Sequence, residues 1–178
     1  MPEGSRRTFR EGLAVGLIAY AAVALFYGVF DVLAARGPLY TVNVLGQAVF
    51  RGVRSPSVLE LPIPLDMTAM LWYNAVHLVV SLAIGQVVLA LVDLAVRYPN
   101  RSGFAFTIML AGFVVTVVGI GVVTEPLRPV LPWWSIVVAN ALAVVISAAY
   151  VGSRRPGIWR ALTAFARKSA VPPAAGIR

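Results

Sequence analysis

Thr68–Val96, TAMLWYNAVHLVVSLAIGQVVLALVDLAV, is the stretch from which the fold of this chain is read. Its one charged residue, Asp93, sits near its end. A helix needs about 20 mostly apolar residues to cross the hydrocarbon core of a bilayer, and this run is long enough. Three further runs of the same kind lie at Gly12–Leu33, Phe104–Val123 and Leu131–Val151. The expected fold is therefore all-α: a polytopic membrane protein with four transmembrane helices in a bundle.

Composition agrees. The 178 residues are 60% hydrophobic and 12% charged, whereas a soluble domain is about a quarter charged. Mean hydropathy is +0.85. The runs leave no room for a separate soluble domain. The expected organisation is a basic N-tail at 1–11, a membrane domain at 12–153 with spans at 12–33, 68–96, 104–123 and 131–151, and a basic C-tail at 154–178.

The net charge of +8 is unevenly placed. Arg6, Arg7 and Arg10 precede the first span, Arg97 and Arg101 follow the second, and Arg154, Arg155, Arg160, Arg167, Lys168 and Arg178 follow the fourth. Arg36, Arg51, Arg54 and Arg128 fall on the other side. Lys and Arg concentrate on the cytoplasmic side of membrane proteins, so both termini are expected inside a multi-pass protein of the cell inner membrane. Topology, with anionic lipid headgroups on the cytoplasmic side as partners, accounts for the basic excess, and no nucleic-acid partner is expected. Trp72, Tyr73, Trp133 and Trp134 mark one headgroup belt and Tyr98, Tyr150 and Trp159 the other, in agreement with that sidedness.

Ser5-Arg6-Arg7-Thr8-Phe9 looks like the start of a twin-arginine signal. The apolar stretch behind it exceeds the about 7–15 residues of a signal core, so the first helix is expected to be retained. The chain has no cysteine, which excludes disulfides, thiolate metal sites and thiol redox chemistry.

The long segment 35–67 carries its own helix. Asn43, Gln47, Arg51 and Arg54 recur on one face between Val42 and Arg54, with Val42, Leu45, Val49 and Phe50 opposite. That pattern predicts a short amphipathic interfacial helix over about 42–54 in the first outer loop, with Thr41 as its N-cap. Leu61-Pro-Ile-Pro-Leu65 is expected to be extended, as a strap over the bundle mouth. Asp66 is placed to cap the second span. A second interfacial helix, basic and cytoplasmic, is expected over Gly157–Lys168.

Small residues recur on the first span at Gly12, Gly16, Ala24 and Gly28, with Tyr20 in the same row. Such a row lets another helix approach closely, and packing within the chain is the simplest use of it. Polar side chains inside a membrane face the bundle. Asn74, His77 and Ser81 share a face of the second span, and counting residues places Tyr27, His77, Thr116 and Asn140 near one depth. A polar layer of those four is expected, as interhelical glue or as part of a ligand site. One histidine cannot make a bis-histidine haem, and a catalytic zinc needs three protein ligands. No cofactor or metal is expected, and a single-ligand haem or pigment at His77 is disfavoured. No nucleophile–base or paired-carboxylate constellation stands out, which points away from an enzyme.

Leu39-Tyr40-Thr41, Leu45-Gly46, Tyr73-x-x-x-His77 and Gly85 together resemble small uncharacterised four-helix bacterial integral membrane proteins. The resemblance implies a fold and a location. The chain departs from better-known four-span groups: it lacks the membrane-embedded glutamate of small multidrug exporters, the cysteines of quinone-reducing oxidoreductases and the several histidines of four-helix cytochromes b. The expected function is a non-catalytic accessory or structural subunit, packing against a larger inner-membrane complex of an energy-transducing kind or against itself. The alternatives are a homo-oligomeric small transporter or channel using the polar layer, and a membrane enzyme or binder of a lipid-like or quinone-like ligand near His77.

Overall fold

The computed structural model describes residues 3–53, 63–160 and 163. Five helices have bounds within the described residues: α1 Glu3–Leu33, α2 Tyr40–Phe50, α3 Met67–Arg97, α4 Ser102–Val123 and α5 Trp133–Arg154; residues 157–160 and 163 are helical too. Short 3-10 turns at Pro99–Arg101 and Glu125–Leu127 connect α3 to α4 and α4 to α5. Among the described residues there is no strand. Four helices, all but α2, are long and apolar enough to cross a membrane, and they form the expected four-helix bundle. Large apolar side chains such as Leu25, Leu71, Leu110 and Val115 stand exposed on its surface, as the lipid-facing side of a membrane bundle requires.

The bundle has a basic end, where α1 begins and α5 ends, and an opposite end that carries α2. At the basic end α1 starts at Glu3 rather than near Gly12, so Arg6, Arg7 and Arg10 lie on the helix. Arg7 Nε donates to Glu11 Oε1 at 2.9 Å, one turn on. Thr8 Oγ1 donates to Asp93 Oδ2 on α3 at 2.9 Å. These bonds give the first turns of α1 a surface to fold against.

The centre of the bundle is the α1–α3 seam, and glycine builds it. A Cβ at Gly16 would lie 2.5 Å from the Ser81 carbonyl oxygen and from Leu82 Cα, and one at Gly85 would meet the Gly12 carbonyl oxygen and Gly16 N. The two backbones touch where neither carries a side chain, which is how membrane helices gain close packing. Gly12 also lies against Gln86, whose Nε2 donates to the Phe9 carbonyl at 3.0 Å. Among the described residues a Cβ at Gly28 would meet only the Pro38 carbonyl, at ordinary contact distance.

α2 is tied into the bundle. A Cβ at Gly46 would come within 2.8 Å of the Ala69 backbone of α3, and Tyr40, Val44, Leu45 and Ala48 join the buried core with Leu127, Leu131 and Ile136. Its polar row does not simply face water. Asn43 is 1% exposed; its Nδ2 donates to the Pro64 carbonyl at 3.1 Å, and its Oδ1 accepts from Asp66 N at 2.9 Å. Gln47 Nε2 donates to the same Pro64 carbonyl at 2.9 Å. The row anchors the start of α3, because the segment before it has no regular structure to satisfy the Pro64 carbonyl and the Asp66 N–H.

Thr41 is not the N-cap of α2, which is Leu39. Thr41 lies inside the helix and gives both its N–H and its hydroxyl to the carboxylate of Asp31. Asp66 does cap α3, accepting from Ala69 N at 2.9 Å. It also accepts from Arg51 Nε at 2.8 Å, and the Arg51 guanidinium holds its carboxyl below the usual carboxylate range. Arg54, the rest of the strap up to Pro62 and most of the Gly157–Lys168 stretch lie outside the described residues.

Candidate functional site

Polar side chains gather in two places. At the basic end, Arg155 of the α5 cap lies between two carboxylates. Its Nε donates to Glu11 Oε2 at 2.6 Å, its Nη1 pairs with Asp93 Oδ1, and its Nη2 donates to Thr8 Oγ1 at 3.1 Å. Both carboxylates and the guanidinium are largely covered, at 12%, 24% and 15% side-chain exposure for Glu11, Asp93 and Arg155. All partners are spoken for, so the cluster joins α1, α3 and α5 and leaves no free group for chemistry.

The second place is a cavity of about 150 Å³ between α1, α2 and α3. α1 contributes Val23, Ala24, Tyr27, Gly28 and Asp31; α3 contributes Tyr73, Asn74 and His77. Pro38, Leu39, Thr41, Val42 and Leu45 close it from the α2 side. His77 stands ten residues into α3, roughly 15 Å from the helix start at about 1.5 Å per residue.

His77 packs between two tyrosines. Its ring centroid lies 5.1 Å from that of Tyr20 and 6.0 Å from that of Tyr73. Tyr20 Oη donates to Asn74 Oδ1 at 3.0 Å, and Asn74 Nδ2 donates to the Met70 carbonyl at 2.9 Å. Asn74 is therefore satisfied. Asp31, 1% exposed, accepts from Thr41 N at 2.7 Å and from Thr41 Oγ1 at 2.6 Å. Its carboxylate supplies the helix-start acceptor that Leu39 lacks, and it ties α2 to the end of α1. Two groups at the cavity stay unbonded: among the described residues neither the His77 ring nor the Tyr73 hydroxyl has a hydrogen-bond partner.

The structure brings Tyr27, Asn74 and His77 to one cavity but not Thr116 or Asn140. Thr116 Oγ1 donates back to Gly112 O at 2.8 Å, and Asn140 Nδ2 to Ile136 O at 2.8 Å. Each satisfies itself one turn up its own helix, a local bond always within reach of such side chains. Tyr27 Oη makes a long contact, 3.5 Å, with Ser135 Oγ. The four do not form one hydrogen-bonded layer. Ser81 is buried in the α1–α3 seam, its carbonyl against Gly16. Gly12 and Gly16 also belong to that seam, and Ala24 and Gly28 line the cavity.

Residue spacing had not picked out Asp31, Tyr73 or Thr41 for this cavity. The available signal was the four-residue step from Tyr73 to His77, which puts both on one face of α3. Tyr20 follows Gly16 by the same step and so meets α3. Among the described residues no group of three or more His, Cys, Asp or Glu is placed to hold a metal ion. Comparison with protein-family models, curated proteins and solved structures finds no match.

Proposed function

We propose that this chain is a non-catalytic subunit of the bacterial inner membrane, with both termini cytoplasmic, that packs through α4 against a larger membrane complex. One observation carries the reading. Of the 22 residues of α4, only Ser102, Ala105, Val117 and Gly121 are buried. Gly112 and Gly119, two turns apart, have nothing among the described residues within 4 Å of an added Cβ. The glycines at the α1–α3 seam are filled by a partner backbone; Gly112 and Gly119 have the same chemistry and no such partner among the described residues. Small residues on an open membrane-helix face suit close helix approach.

The test is the particle extracted from native membranes in mild detergent. Co-migration with larger proteins, lost on Gly112→Leu with Gly119→Leu while the chain itself stays folded, supports the reading. A particle of single-chain mass overturns it. So does a homo-oligomer, which would favour the small transporter or channel instead. Sidedness is read separately: the absence of native cysteine lets single cysteines at Ser153 and Glu125 report alone. Labelling of the first from the cytoplasm and the second from outside is expected.

A further inference from the structure

The cavity beside His77 has three properties that together select a ligand. It is the size of a ring: about 150 Å³, and an apolar cavity of about that volume takes a benzene-sized molecule. It reaches into the bundle as far as His77, roughly 15 Å from the start of α3 at about 1.5 Å per residue. Part of its wall is surface, since Ala24 and Leu39 line it and are exposed. A visitor therefore enters sideways, between α1 and α2, from the surface that the bundle turns toward lipid.

The polar groups narrow the class further. Tyr73 Oη–H and His77 N–H are unspent donors among the described residues, in a wall that is otherwise mostly apolar. Unspent donors facing an apolar wall favour a hydrogen-bond acceptor in the cavity. Asp31 occupies one side with its negative charge and repels an anion, while its oxygens are already taken by Thr41. Tyr27, Tyr73 and His77 give the lining an aromatic character.

We propose that this cavity binds the headgroup of a neutral amphiphile: a carbonyl-bearing, quinone-like ring. Its carbonyl oxygen accepts from Tyr73 and His77, and its apolar tail leaves past Ala24 and Leu39 into the lipid. This is a binding step without electron transfer. It is independent of what α4 docks against, because the cavity lies among α1, α2 and α3.

The test uses the full chain in lipid nanodiscs and a decyl-substituted benzoquinone as probe, by equilibrium dialysis against empty nanodiscs. Protein-dependent, saturable uptake of about one probe per chain is expected, with decylbenzene, which lacks the carbonyls, showing none. Tyr73→Phe and His77→Phe keep the rings and should each weaken binding about fivefold, the ordinary worth of one neutral hydrogen bond. Ala24→Leu, at the exposed mouth, should abolish it and is not expected to disturb folding. Equal uptake of decylbenzene, uptake that never saturates, or indifference to all three substitutions would overturn the proposal and leave a hydrocarbon-filled gap. If the two ring variants fail to fold, Ala24→Leu with the decylbenzene control decides.

Discussion

The two ends of the bundle are built in opposite ways. At the basic end, helices meet backbone to backbone through Gly12, Gly16 and Gly85, and Arg155 locks α1, α3 and α5 together through Glu11 and Asp93. At the other end α2 is wedged beside α1 and α3, meeting α3 through Gly46, while Tyr27, Tyr73 and His77 stand around about 150 Å³ of open space. The difference teaches where a small membrane protein can keep space for a guest. α1 and α3, which touch through glycine, close on each other; beside the inserted α2 and the aromatic side chains a cavity remains. The charges differ in part: at the closed end Arg155 pairs with Glu11 and Asp93, and at the open end Arg51 pairs with Asp66 while Asp31 bonds the first turn of α2.

The sharpest way to break this contrast is to loosen the closed end. Arg155→Leu leaves Glu11 and Asp93 facing each other with their guanidinium removed. Stranding one side of a largely covered ion pair costs about 3 kcal/mol or more, so the unfolding midpoint in a denaturing-detergent titration should fall most for this variant. Gly85→Ala comes next. Its Cβ would press on the backbone of Gly12 and Gly16, and such overpacking costs about 1–3 kcal/mol. If the same titration found it neutral, the seam would be looser than the glycines imply.

The open end should respond locally. Asp31→Ala removes the acceptor of Thr41 N–H and Oγ1–H, worth about 1–2 kcal/mol for buried groups left unpaired. Amide exchange should speed up in α2 while α1 and α3 stay protected; global loss of protection would mean that α2 holds the whole bundle. The smallest effect is expected from the Arg51–Asp66 pair at the exposed start of α3. Asp66 has its carboxyl pKa lowered by Arg51, so the pair stabilises fully above the ordinary carboxylate range. That contribution is lost as pH falls through the lowered value. Asp66→Asn should flatten this acid limb of a stability–pH curve, and an unchanged limb would show that the pair contributes nothing.

Much of this was legible in residue order, and particular residues show why. The four spans follow from length and apolarity alone, because a bilayer imposes one dimension on every crossing helix. The Asp66 cap was legible because capping is local, a bond from residue i to the N–H of i+3. Thr41 was misread as a cap because its real partner, Asp31, lies ten residues back, across a turn that spacing rules do not cross. Asn43, Gln47 and Arg51 were read as a wet face, yet Asn43 is buried against Pro64. Periodicity reports which residues share a face, not what that face meets. The four-residue polar layer rested on equal depth, and depth leaves open the rotation of each helix about its axis. Thr116 and Asn140 turned to their own backbones instead.

Residue order alone was enough for the number of spans and the segregation of charge, since each depends on composition within a single segment and on the fixed thickness of a membrane; it missed that α1 begins at Glu3. The packing partners of each glycine, the burial of Asp31 and the cavity beside His77 came from three dimensions. They depend on which helices become neighbours, and at what rotation. Contacts such as Gly12 with Gly85, or Glu11 with Arg155, join residues far apart in the chain, so no local pattern carries them.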